Sequence, residues 1–211
     1  MIRSVTSRLL SLPALAALCV VITLVSTPAF AGDPPVIKNP SPDGRFALRV
    51  SDAKEDGATP TIEIIEKKTG KVVNELSTSY FGNREDILLV WSADSKRAAF
   101  ATRGPKQGDV SAYFWNATTS KFDYAEIPDD KLPDPDTNFG KDKDGPVKNY
   151  GGAPKPLRWL KSGDLLMSND SVMMSRNSGK TYTGTVTFTV SFDKDRHATI
   201  HGVSKTRTKV D

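Results

Sequence analysis

The sequence predicts an all-β protein built from three antiparallel four-stranded meanders. Three observations carry that prediction. Apolar and β-branched residues alternate with period two in short runs bounded by turn clusters. No segment shows a capped 3.6-residue period, so helices should be scarce. A polar turn followed by an apolar strand recurs three times along the chain.

The chain has 211 residues, 29 basic and 25 acidic, for a net charge of +4. Residues 1–31 contribute two arginines and no acid, so the remainder carries 27 basic against 25 acidic side chains, a net +2. That balance, without a dense basic run, argues against a nucleic-acid partner. Arg3 and Arg8 make a positive start, Leu9 to Val25 is almost unbrokenly apolar, and Ala29-Phe30-Ala31 has the small-x-small pattern of a cleavage site. These parts predict a secretory signal peptide, 1–31, and an exported domain, 32–211, in the periplasm or outside a bacterial cell. Beyond residue 31 no apolar stretch approaches the ~18 residues of a membrane helix, so no span remains after cleavage. Cys19 lies inside the signal and follows Leu18, where lipidation requires a small residue. The exported part then has no disulfide, no cysteine-ligated zinc and no thiol nucleophile.

The elements follow in order. Val36-Ile37-Lys38 precedes the turn Ser41-Pro42-Asp43-Gly44-Arg45, which delivers the strand Phe46 to Val50. Proline presets φ in such a turn, and aspartate bonds its own backbone. Thr61 to Glu66 alternates, breaks at 67–71 and returns as Val72 to Leu76. The second unit repeats this with Ile87 to Trp91, a turn at 92–96, and strands at Ala98 to Ala101, Val110 to Trp115 and Phe122 to Ile127. The third runs from Pro156 to Trp159 through a turn at 160–163 to Leu165-Leu166-Met167, then Thr183 to Phe192 and Ala198 to Ile200. The units span about 36–76, 87–127 and 156–204, twelve strands in all, with 128–155 as a long loop. Residues 36–38, the first strand of the first unit, are left available to pair against the last unit.

A strand ending in tryptophan, then S-P-D-G-K/R, then an apolar strand and a hairpin around T-G-K, resembles the blade repeat of TolB-type β-propellers. Ser41 to Val50 lies close to that pattern; Val90 to Ala101 keeps it with Ala93 and Ser95 for proline and glycine. Arg158 to Met167 keeps the tryptophan and the turn. The resemblance covers the whole exported chain and implies a propeller-like or partial-propeller architecture. Such blades occur in binding proteins and as accessory domains of hydrolases. Three units are fewer than ordinary closure needs, which leaves a propeller-like fragment, a twisted sandwich, or an assembly completed by another chain.

Strand alternation puts the tight turns at one end and the longer connections, 51–60, 77–86, 103–108, 128–155 and 169–181, at the other. Loops on a rigid frame are where function concentrates, so this end is the expected working face. Its binding residues are predicted as Tyr80, Phe81, Phe139 and Tyr150, aromatic anchors among glycine and charge, with Arg84, Asp134 and Asp136 beside them. Met173-Met174 is read as a loop plug, and Trp91 and Trp159 as packing between sheets.

No nucleophile elbow, phosphate-cradling glycine loop or Cys/His metal spacing occurs. The loop from Asp134 has its glycine one place late for calcium and no glutamate at the twelfth position. His197 and His201 read as ordinary strand-edge residues. The sequence therefore calls for no cofactor, no metal and no catalytic residue. The reading is an exported, non-enzymatic binding or scaffold module with a protein or glycan partner on the long-loop face, and a homo-oligomer is compatible with it. Alternatives are a small envelope hydrolase using carboxylates on that face, or a structural subunit completing a larger β assembly.

Overall fold

A computed structural model describes residues 34–51, 60–76, 86–104, 108–135 and 147–210. The predicted signal peptide and the candidate residues Tyr80, Phe81, Arg84, Asp136 and Phe139 lie outside the described residues. All described residues fall in one compact unit, Gly32–Asp211. Among them no α-helix forms, and every strand pairing is antiparallel.

The first sheet has the order β1 (Val36–Lys38), β2 (Phe46–Ser51), β3 (Thr61–Glu66), β4 (Val72–Leu76). The second is β5 (Ile87–Trp91), β6 (Arg97–Arg103), β7 (Gly108–Asn116), β8 (Lys121–Glu126). The third holds β9 (Val147–Gly151), β10 (Pro154–Trp159), β11 (Leu165–Ser175), β12 (Thr181–Phe192), β13 (Ala198–His201) and β14 (Arg207–Val210). Neither sheet nor stack closes into a barrel.

Four sequence expectations need correction. Residues 36–38 do not close against the last unit: Val36 pairs Val50 and Lys38 pairs Leu48 within the first sheet. The five-residue turn that follows them folds the chain straight back onto β2, and a local hairpin wins over a distant edge. The connection 169–181 is not a long loop. Val172 pairs Thr183 and Met174 pairs Thr181, so β11 and β12 run on to a tight turn at 176–180 closed by Ser175 N–H to Lys180 O at 2.9 Å. Met173 is a buried strand residue and not a loop plug. Finally, Tyr150 belongs to β9 and not to a loop.

The extra strands keep the four-stranded plan. β9 and β10 both pair β11, over Val172–Ser175 and Leu165–Asn169, and act as one strand interrupted at 152–153. A Cβ on Gly152 would overlap the Asp170 carbonyl oxygen, so only glycine lets β11 pass that close. On the other side, β13 and β14 pair β12 over 189–192 and 182–185, and Ser204 bonds Thr187 across the gap. The third unit is thus a double-length meander.

The turns repeat in atomic detail. Ser41 Oγ donates to Asp43 Oδ1 at 2.6 Å and accepts from Phe46 N–H at 2.9 Å. Ser92 Oγ donates to Asp94 Oδ1 at 2.6 Å and accepts from Arg97 N–H at 2.9 Å. Gly44, Ser95 and Gly163 occupy the same turn position with φ of 71°, 58° and 101°. Ser95 tolerates this left-handed backbone because its hydroxyl, buried, accepts the Asp43 N–H of the first turn at 3.1 Å.

The second sheet is the middle layer, and its central strand is buried on both sides. Ala98 and Phe100 face the first sheet with Leu48, Val50, Ile62 and Ile64; Ala99 and Ala101 face the third with Leu165, Met167, Phe188 and Val190. Alanines there let two sheets approach a third that carries larger side chains. Trp91 stacks on Phe46 and Trp159 packs edge-on to Phe114, as the sequence leads one to expect. Each indole N–H reaches back one unit: Trp91 to the Asn39 carbonyl at 2.7 Å, Trp159 to the Val90 carbonyl at 3.0 Å. Asn39 and Val90 hold the same place, two residues before their turns. Pro40 stands where the first unit's tryptophan would be.

Both ends of the stack are polar. On the first sheet Arg49 Nε pairs with Glu63 at 2.7 Å, with only 10 % of the Glu63 side chain exposed. Arg49 holds the repeat position of Phe100. On the third sheet Leu166, Ser168 and Asp170 point outward, where Leu48 and Val50 or Ala99 and Ala101 point in the inner units. Polar outer faces are how a stack of repeats ends.

Candidate binding surfaces

Three places offer chemistry. The first is the long-connection end. Here residues 127–135 leave β8, make a 3-10 turn at Asp129–Lys131 and bind down onto the third sheet. Leu132 packs into the apolar layer between the second and third sheets, Pro135 is buried, and the Asn169 amide donates to the Pro133 carbonyl at 3.1 Å and to Asp134 Oδ1 at 3.3 Å. Asp134 is therefore exposed but tethered. Asp109, Glu126 and Asp130 gather around Asp129. Partial burial, then the charges of Asp109, Glu126 and Asp130, hold the Asp129 carboxyl above the usual range.

The second place is an open cleft of about 530 Å³ between the outer rims of the second and third sheets. Tyr124, Glu126, Lys131, Arg196 and His197 line it, and Tyr124 is 57 % exposed. Its floor is tied by Arg196 to Asp123 at 2.6 Å, and Asn116 donates to the same carboxylate at 2.8 Å. Those two bonds hold Asp123 below the ordinary aspartate range. Asp193, Asp195 and His197 stand at the mouth with ligand atoms within 4.8 Å of one another. The spacing suits a cation, yet Asp193 Oδ1 already accepts the Asp195 and His197 N–H groups, and its other oxygen meets His197 Nδ1 at 3.1 Å. The aspartate is committed to shaping the turn. Sequence reading weighed His197 only against His201 and missed these two aspartates.

The third place is the outward face of the third sheet. On β12 the side chains alternate: Tyr182, Val186, Phe188 and Val190 go inward and are buried, while Thr181, Thr183, Thr185, Thr187, Thr189 and Ser191 go outward and are half-buried. Register fixes their neighbours, since residues directly opposite in an antiparallel pair share a face. Lys155 is level with Ser168 and Arg158 with Leu166 on one flank; Arg207 is level with Thr185 and Lys209 with Thr183 on the other. All four cations are exposed. The one acid among these outward positions, Asp170, accepts the Thr185 hydroxyl at 2.7 Å.

Of the predicted binding residues, Asp134 and the backbone of Tyr150 are placed, on the strap and in β9, and the structure gives no evidence that joins them into one site. The hydroxyl face was visible in the sequence as an alternating strand; the flanking cations were not, because they come from β10 and β14. No family model, curated protein or solved structure matches the chain. Among the described residues no helix is long and apolar enough to cross a membrane.

Proposed function

We propose that this chain is an exported, non-enzymatic binding or scaffold module, released from a signal peptide at residues 1–31 into a bacterial periplasm or the medium, with stacked units akin to TolB-type blades. Its working surface is the outward face of the third sheet. One observation carries the reading: at the repeat positions that continue the stack elsewhere, this face bears Ser168, Asp170 and a threonine row, flanked by four exposed cations. A rigid frame spends its polar surface there, away from the packed layers. The test is binding of envelope components to immobilised protein. Arg158→Glu with Arg207→Glu should weaken capture of the bound component about tenfold. Tyr80→Ala, Phe81→Ala, Phe139→Ala and Tyr150→Ala together should leave it intact. Loss in the aromatic variant alone moves the site to the long connections.

A second reading rests on Asp129, whose raised carboxyl beside Glu126 and Asp109 has the character of a general acid. A carboxylate hydrolase at the long-connection end would lose turnover of an envelope polysaccharide in Asp129→Asn. Equal turnover in that variant removes this reading.

A further inference from the structure

The four cations on the outward face are not scattered. Arg158 and Lys155 sit on the β10 flank toward the tight-turn end; Arg207 and Lys209 sit on the β14 flank toward the other end. The line joining the two pairs crosses Ser168, Thr187 and Thr185. From the level of Thr189 to that of Thr183 is six residues, and three strand spacings separate the flanks, a diagonal on the order of 25 Å. The track is thus cationic at both ends and hydroxyl-rich between them. No Phe, Tyr or Trp stands among its described outward side chains, whereas protein interfaces draw their energy from buried aromatics. Four cations fall short of the roughly six to ten phosphate contacts that hold duplex DNA.

Resting on the reading above, we propose that the partner is an acidic polysaccharide lying along this diagonal. Its carboxylates or sulfates meet Lys155 and Arg158 at one end and Arg207 and Lys209 at the other. Its hydroxyls exchange hydrogen bonds with the half-buried Thr187 and Thr189 side chains, which both donate and accept, and donate to Thr185, whose own proton goes to Asp170. Asp170 accepts the Thr185 hydroxyl at 2.7 Å, which ties the one acid of this face to its cross-strand neighbour.

The test is titration of the purified protein with polygalacturonate, whose acids are all carboxylates, and with dextran sulfate, whose acids are all sulfates, beside neutral dextran, duplex DNA and anionic phospholipid vesicles. One acidic polymer should bind, more weakly as salt rises, and dextran should not. Lys155→Glu with Arg158→Glu should weaken binding about tenfold, Arg207→Glu with Lys209→Glu similarly, and all four should abolish it. Thr187→Val with Thr189→Val should weaken binding while leaving its salt dependence unchanged. Lys67→Glu with Lys121→Glu, at the tight turns, should do nothing. Melting temperatures, measured alongside, should stay within a few degrees of the parent. Binding of acid polymers that survives all four reversals overturns the proposal and the face with it. Binding of dextran that the threonine variant loses keeps the face and overturns the acidic partner, and so does preference for DNA or vesicles.

Discussion

The indole N–H of Trp159 donates to the Val90 carbonyl at 3.0 Å, linking the first strand of the third unit to the first strand of the second. Trp91 makes the same bond one unit earlier, to Asn39 at 2.7 Å. The outer rims are tied as well. Asn74 bonds both backbone groups of Phe122 at 2.7 Å, and Arg196 pairs with Asp123. Each neighbouring pair of sheets is thus clamped at both edges around an apolar filling.

Trp159→Phe should keep the aromatic filling against Phe114 and Phe192 but leave the Val90 carbonyl without its donor. The expected loss is about 1–2 kcal/mol. Trp159→Ala should cost about 3–5 kcal/mol. Urea unfolding of both variants checks the ordering; equal losses would mean that the aromatic filling contributes nothing, and an unchanged Trp159→Phe would mean that the hydrogen bond does not.

Ser95 combines a left-handed backbone with a hydrogen bond to the neighbouring turn. Ser95→Ala keeps the strained φ and loses the bond, and should cost about 0.5–1.5 kcal/mol. Ser95→Gly relieves the strain, worth about 1–2 kcal/mol, and should sit close to the parent. Thermal melts of the two variants decide it; glycine no better than alanine would refute the account.

Arg49 and Glu63 form the polar cap of the first sheet. Glu63→Gln alone should destabilise by leaving Arg49 without a countercharge. Replacing both by methionine should be near neutral in stability, within a few kcal/mol. That double variant should also self-associate, because it turns the end of the stack into an apolar face. Sedimentation velocity reads this directly, and a strictly monomeric double variant would contradict the capping role.

Stability should also respond to acid, with opposite signs at two places. Burial acts to raise Asp43, but bonds from Ser41, Arg45 and Ser95 outweigh it, and the Ser92 hydroxyl first among its partners lowers Asp94. Both folded values lie below 3.8. The folded form then binds fewer protons, so their contribution is present above that pH and is lost as pH falls through the folded values. Asp129 is raised, so the folded form binds more protons than the unfolded, and stability falls as pH climbs from 3.8 through its folded value. Asp94→Asn should flatten the acid limb of a pH–stability curve. Asp129→Asn should stabilise near neutrality and match the parent in acid.

Much of the fold was legible because its signals are local. Period-two alternation marked β2, β3, β7 and β12, and the Ser-x-Asp turns marked where strands begin, since both depend on neighbours a few residues apart. Sequence reading misplaced residues 36–38, 169–181 and 147–151, and all three are matters of strand pairing. Ser168 to Ser175 looks like a loop, polar and serine-rich, until β11 is seen pairing β12 through Met174–Thr181. Val36 to Lys38 looks like a closing strand until its own turn folds it onto β2.

By itself the sequence determined the all-β class, the three units and the turns that start them, because backbone preference and side-chain period act within a handful of residues. Only the tertiary structure decided which face of each strand turns to a neighbour and which turns to water. That choice puts Phe100 against the first sheet, Arg49 at one end of the stack and the threonine row at the other. It also brings Lys155 and Arg158 onto the same face as Arg207 and Lys209. Charges some fifty residues apart share a surface through strand register, and register is fixed by burial summed over a whole sheet.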